Sequence, residues 1–160
     1  ADAFVIGGPN YFDTLNALTH AFLERWYQFR HQAGSALCGK LAVAVGVGGI
    51  QGSAPADQIE KMCMVNLIET VAKVQAQGTA SCYTCGFGET CQVGIPVFLH
   101  GPGVKFTDSI IPDVEKQVDV MAAAADAGKL LGQRLGDGHD RTEVARAVQE
   151  KLMDMFGQIG

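Results

Sequence analysis

The sequence is short of the features that mark several function classes. Its charges sum to 12 minus 17, or −5, and no run of Lys or Arg is long enough to attract nucleic acid or an anionic membrane surface. The longest apolar stretch, around Leu41 to Gly49, is too short to span a bilayer. The first residues show no charged segment followed by a signal-type apolar one. The reading is a soluble, cytoplasmic protein with neither nucleic acid nor membrane as a partner. No Gly-x-Ser-x-Gly elbow and no His-Glu-x-x-His helix is present, so hydrolytic chemistry has no local signature. Internal repeats, low-complexity tracts and obvious linkers are absent as well.

What is there is a chain of 160 residues, 48% hydrophobic, which is enough for one well-buried core. Phe4, Val5 and Ile6 read as a buried strand stopped at Gly7, Gly8 and Pro9. From Thr14 to Arg30, Leu15, Leu18, Phe22, Trp26 and Phe29 recur at helical spacing. Leu41 to Val45 is a continuous apolar run, as in a parallel strand covered on both faces. Ser53 and Pro55 start a helix predicted through Ile59, Met62, Val65, Ile68, Val71 and Val74 to a stop at Gly78. The stretch at about 79–105 is irregular and rich in cysteine. Pro112 and Asp113 open a long helical pattern closed by Gly136 and Gly138, and Asp140 with Glu143 resembles a capping box for a last helix at about 140–157. The expected architecture is a single α/β domain over residues 1–160: a doubly wound parallel sheet in three αβα layers.

Two glycine-bearing turns follow the first two strands. Gly7 to Phe12 ends one strand ahead of a helix, where open α/β sheets bind ligands. Glycine permits close backbone approach to a flat ring and Tyr11 or Phe12 could cover a face of it; the alternative is an ordinary turn with two core aromatics. The second turn, Gly46 to Gly52, misses the dinucleotide fingerprint, with no acidic residue on a strand about 20 residues on, and lacks the Lys-Ser or Lys-Thr of a phosphate loop. A second wall for a ring bound near Tyr11 suits it better.

Five cysteines, an odd number, suit a reducing compartment better than a disulfide framework. Cys82, Cys85 and Cys91 form a C-x2-C-x5-C arrangement that could hold an iron–sulfur cluster or zinc, with Cys38, Cys63 or His100 as candidate fourth ligand. A redox-active dithiol and incidental thiols are the other readings. His20 and His31 read as surface or satisfied groups, and His139 sits in a charged turn.

Gly8-Pro9-Asn10-Tyr11-Phe12, followed by Leu15, Leu18, Ala21-Phe22-Leu23 and Arg25, resembles the segment after the third strand of the NADPH-dependent FMN reductase and iron–sulfur flavoprotein family, usually Gly-Ser-Pro-Val-Tyr-Phe and a helix. Gly39-Lys40, the run Leu41 to Val45 and the turn Gly46 to Gly52 are similar to that family's fourth strand and following loop. The resemblance covers the first third of the chain closely. It implies a flavodoxin-like fold binding FMN, with Pro9, Asn10, Tyr11 and Phe12 on one side of the ring and Gly48, Gly49 and Gly52 on the other. It implies an NAD(P)H-dependent FMN oxidoreductase or electron-transfer flavoprotein working with a redox partner. It also implies a homo-oligomer, with the helix around Phe22 and Trp26 at a subunit boundary. The family's opening strands and phosphate loop do not precede Ala1, which leads to the expectation that the first strands come from elsewhere, from another chain or a missing part of this one. The family's own cysteine motif lies nearer the amino terminus with tighter spacing. Two further readings are a non-catalytic metal- or iron–sulfur-binding subunit of a redox complex, and a domain without cofactor that serves only in association.

Overall fold

In the computed structural model, residues 1–29 and 35–157 are described. Four strands form a mixed sheet: β1 (Ala3–Tyr11), β2 (Thr14–Leu15), β3 (Leu41–Gly48) and β4 (Glu69–Gln77). The order is β2-β1-β3-β4. β1, β3 and β4 are parallel, whereas β2 folds back antiparallel on the end of β1 through Asn10–Leu15 and Tyr11–Thr14. The expectation of an all-parallel sheet thus holds for three strands and is corrected at β2.

β3 is central because nothing in Leu41-Ala42-Val43-Ala44 needs water: all four are buried, and both neighbours supply ladder bonds. On one face, α1 (Ala17–Glu24), its 3-10 continuation Arg25–Phe29 and α2 (Ser53–Val65) enclose Ile6, Leu23, Trp26, Ala42, Ala44 and Ile59. On the other, α4 (Val118–Gly136) and α5 (Arg141–Gly157) enclose Leu41, Val43, Val74, Leu131 and Val148. Helices therefore cover both faces of an α/β sheet, and each fully buried Leu or Ile contributes about 1.5–3 kcal/mol. A short α3 (Ile95–His100) lies in the irregular region between β4 and α4.

Three expectations need correction. The helix predicted from Ser53 to Val74 ends at Val65, and Glu69–Gln77 is a strand. Leu67 takes a positive φ of 57°, which breaks the helix, and Lys73, Val74, Gln75 and Ala76 then alternate exposed and buried. Ile68, Val71 and Val74 stand three apart by coincidence, with Val71 the extra residue of a bulge between the Thr70 and Ala72 pairings. The strand expected to stop at Gly7 runs on to Tyr11, since Gly7, Gly8 and Pro9 pair with Val45, Gly46 and Val47. The helix expected from Thr14 to Arg30 starts only at Ala17, and in it Leu23 rather than Leu18 or Phe22 faces the core; Leu18 is 80% and Phe22 51% exposed. Arg30 and His31 lie outside the described residues.

The capping box expected at the last helix is present on its Asp140 side: Oδ1 accepts from the backbone N–H of Thr142 at 2.7 Å and of Glu143 at 3.4 Å. The outer edge of β1 from Ala3 to Pro9 has no strand paired to it among the described residues. No helix among them is long and apolar enough to cross a membrane.

Candidate functional site

Parallel pairing brings the carboxyl ends of β1, β3 and β4 side by side, and each ends in a turn. Phe12 and Asp13 join β1 to β2 with φ of 55° and 59°. Both central residues of a two-residue hairpin loop thus lie in the left-handed region, the geometry that matches strand twist but strains residues with a side chain. Gln58 of α2 anchors this hairpin: its Oε1 accepts from the Leu15 N–H at 2.8 Å, and its Nε2 donates to Thr14 Oγ1 at 2.9 Å.

Gly7 to Tyr11 is strand and not the expected turn, and the end of that strand meets the glycine-bearing turn after β3. Asn10 Nδ2 donates to the Gln51 carbonyl at 3.1 Å, and a Cβ on Gly48 would lie 2.9 Å from Asn10 Cβ. The oxygen of that amide, Asn10 Oδ1, is buried with no hydrogen-bond partner. Pro9, Asn10, Gly48, Gly49 and Gly52 are gathered at one strand-end cluster. Tyr11 and Phe12 stand at its exposed tip, 59% and fully exposed respectively.

The glycines of the second turn serve its own packing. A Cβ on Gly48 would meet Gln51 O at 1.9 Å, and one on Gly52 would meet Gly46 O at 2.0 Å. Gly49 is covered by the irregular region, with Ala80 Cβ and Ile95 Cδ1 each 2.8 Å from where its Cβ would stand. α2 begins at Gly52 with no side-chain cap and no acidic residue in its first turn, which leaves its leading N–H groups and the positive end of its dipole beside Gln51.

A third strand end was hidden by the misread helix. Beyond β4, a groove of about 520 Å³ is lined by Val47, Gly78, Thr79, Asp108, Pro112 and Lys116, among others. Next to Gly78 and Lys116, Gln77 and Gln117 join the end of β4 to the start of α4: Gln77 N–H donates to Gln117 Oε1 at 3.0 Å, Gln117 Nε2 donates to Gln77 O at 2.7 Å, and Gln77 Nε2 donates to Gly49 O at 3.0 Å. Lys116 forms an ion pair with Asp113 at 3.5 Å and donates to the Asp108 carbonyl at 3.2 Å. Had Glu69–Gln77 been read by its alternation, Gly78 and Thr79 would have stood out as the next turn.

The cysteine region is a compact knot. Tyr83 is buried against Phe106 at 5.1 Å between ring centroids. Glu89 accepts from Lys105 Nζ at 2.9 Å and from the Phe106 N–H at 2.7 Å, and Lys105 holds its carboxyl below the ordinary range. Cys82 and Cys91 are half-buried and Cys85 is exposed; all five cysteines are free. Among the described residues, no three His, Cys, Asp or Glu side chains are grouped to hold a metal. Two candidate fourth ligands are at the far end of the sheet. Cys38 precedes β3, and Cys63 is fully buried at the end of α2. An eight-residue strand puts them roughly 25 Å from the strand-end turns. His100 closes α3. His139 is satisfied by Gly39 O at 2.8 Å.

No family model, curated protein or solved structure matches the chain. The site stands on its own geometry.

Proposed function

We propose that the chain is a flavodoxin-like electron-transfer protein or NAD(P)H-dependent oxidoreductase whose strand-end turns border FMN. The observation that carries this reading is the Asn10–Gln51 hydrogen bond, which ties the carboxyl end of β1 to the glycine-bearing turn that follows the adjacent parallel strand β3. Open α/β sheets take their ligands at that edge. The unpartnered Asn10 Oδ1 supplies an acceptor that a small shift of the hairpin would present to a ring N–H, and the uncapped start of α2 supplies donors and a positive dipole for ring oxygens. Exposed Tyr11 and Phe12, on a hairpin of strained φ, are free to fold onto a ring face.

FMN, when bound, supplies the hydride and electron transfer. The chain's contribution is to orient the ring and to shield it. Native absorption together with FMN titration, followed by quenching of flavin fluorescence, tests the reading. A flavin spectrum on gentle purification, or saturable quenching, is expected; a colourless protein that leaves FMN fluorescence unchanged overturns it.

Assembly with a second copy belongs to the same proposal. Leu18 and Phe22 are exposed and, with Ala21 and Trp26, line a shallow apolar groove on α1, and Val5 on the unpaired edge of β1 is 69% exposed. Patches of this kind on a small domain are normally covered.

A further inference from the structure

Cys82 and Cys85 are left unused by the flavin reading, and their geometry favours one of the three readings open to the cysteine motif. Cys82 lies in the 3-10 turn Ser81–Tyr83, and the buried Tyr83 ring fixes that turn against Phe106. Three residues on, the Cys85 side chain folds back so that its Sγ lies 3.4 Å from the Cys82 carbonyl oxygen, to which its S–H donates. The Phe87 N–H donates to the same sulfur at 3.4 Å. The sulfur of the exposed cysteine is therefore held over the backbone of the half-buried one. Residues three apart across a tight turn have Cα atoms within about 7 Å, and a disulfide spans about 4.4–6.8 Å, so closure asks for side-chain rotation and little backbone movement.

Two further observations separate this pair from a three-thiolate metal site. Gly86, beside Cys85, takes φ +83° and nothing lies within 4 Å of where its Cβ would stand, so the approach to Cys85 is open to a second molecule. Cys91 is turned into its own loop, with Sγ 3.6 Å from the Cβ position of Gly94 and its N–H donating to Phe87 O at 2.9 Å.

We propose that Cys82 and Cys85 form a two-electron dithiol–disulfide centre that exchanges with low-molecular-weight disulfides of the glutathione type, Cys85 being the attacking thiol and Cys82 the resolving one. Cys85 gives its proton to solvent, and its sulfur attacks one sulfur of the small disulfide. That S–S bond breaks, a mixed disulfide forms at Cys85, and the first small thiol leaves with a proton from solvent. Cys82, deprotonated in turn, attacks the Cys85 sulfur and releases the second small thiol. The pair is oxidised by two electrons and the small disulfide is reduced by two. The centre does not rest on the flavin reading. It does sit on the same edge, because Ala80, next to the turn, packs on Gly49.

The test is to equilibrate the native protein in a series of reduced and oxidised glutathione mixtures, block free thiols by alkylation, and locate the modified residues by fragment mass mapping. The wild type is expected to lose the Cys82 and Cys85 thiols together in a single Cys82–Cys85 disulfide that excess reduced glutathione reverses. Cys91→Ser is expected to behave as wild type, and Cys82→Ser to accumulate one glutathione on Cys85. The proposal is overturned if both thiols stay free in excess oxidised glutathione, or if the disulfide formed includes Cys91. It is equally overturned if the purified wild type carries stoichiometric zinc or iron that each of Cys82→Ser, Cys85→Ser and Cys91→Ser removes. The wild-type measurements decide the matter even where a variant fails to fold.

Discussion

Gly46 and Gly52 lie against one another so closely that neither has room for a side chain: a Cβ on Gly46 would stand 1.8 Å from Gly52 O, and one on Gly52 would stand 2.0 Å from Gly46 O. The atoms met are backbone, which cannot swing aside. Gly46→Ala and Gly52→Ala are each expected to destabilise the fold by about 1–3 kcal/mol through overpacking. Urea denaturation reads this as a lower midpoint with unchanged slope. The pair is close enough that the double variant should fall short of the sum.

Asn10 tests whether the tie between the end of β1 and the turn after β3 matters for the cofactor. Asn10→Ala removes the donor to Gln51 O and should cost about 1 kcal/mol of stability. If the tie organises the cradle, the same change weakens FMN binding by about tenfold, the equivalent of 1.4 kcal/mol. Titration of both proteins by flavin fluorescence checks it, and equal affinities would show that the tie is structural only.

How much of this was legible beforehand depended on whether a segment's pattern was local. Leu41 to Val45 announced itself as a covered strand because every side chain there is apolar. Asp140 announced the start of α5 because a cap is read from a few adjacent residues. Glu69–Gln77 was misread because its bulge at Val71 shifts the alternation by one residue and leaves Ile68, Val71 and Val74 at helical spacing. That error hid the third strand end and the groove beyond it. Of the two expected glycine turns, the one after β3 was legible as a turn, whereas Gly7 and Gly8 lie within β1. That Gly48 and Gly52 pack into their own loop was not, since it depends on Gln51 O and Gly46 O, positions that only the folded turn defines.

Arg141 holds the entry to β3. Its guanidinium donates to the carbonyls of Cys38 at 2.7 Å, Ala36 at 2.9 Å and Ser35 at 3.2 Å, while Gly39, at φ +72°, passes under the Arg141 backbone. Arg141→Ala should cost about 1.5–3 kcal/mol, the range for hydrogen bonds to a charged group. Arg141→Lys should recover less than half, because an ammonium cannot reach three carbonyls as the planar fork does. Chemical denaturation of the three proteins gives the order.

Leu18 and Phe22 test assembly. If a second copy covers this face of α1, Leu18→Glu combined with Phe22→Glu should convert an oligomer to a monomer in sedimentation velocity, with helix content unchanged. Both side chains are more than half exposed, so the folded monomer should tolerate the change. A wild type already monomeric at high concentration would remove this part of the proposal.

Cys63 gives the fold an alkaline limit. The thiol is fully buried on the core-facing side of α2, and burial pushes its pKa from 9.0 to about 11. In the unfolded chain the thiol ionises near 9, while in the fold it stays protonated, so between pH 9 and 11 the unfolded state binds fewer protons and stability falls as pH rises. The stabilisation is complete below pH 9 and lost on approach to pH 11, a decline of about 2–3 kcal/mol at 1.36 kcal/mol per unit. Lys73, whose pKa is raised by its bonds to Glu60 and Asp57, declines in the same sense and must be separated from it. Cys63→Ala does so: it lowers stability at pH 7.5 by opening a small cavity, yet its loss between pH 9 and 11 should be smaller than the wild type's by about 2–3 kcal/mol, the part due to the thiol. Parallel pH profiles for the two proteins would mean that the alkaline decline comes from other groups.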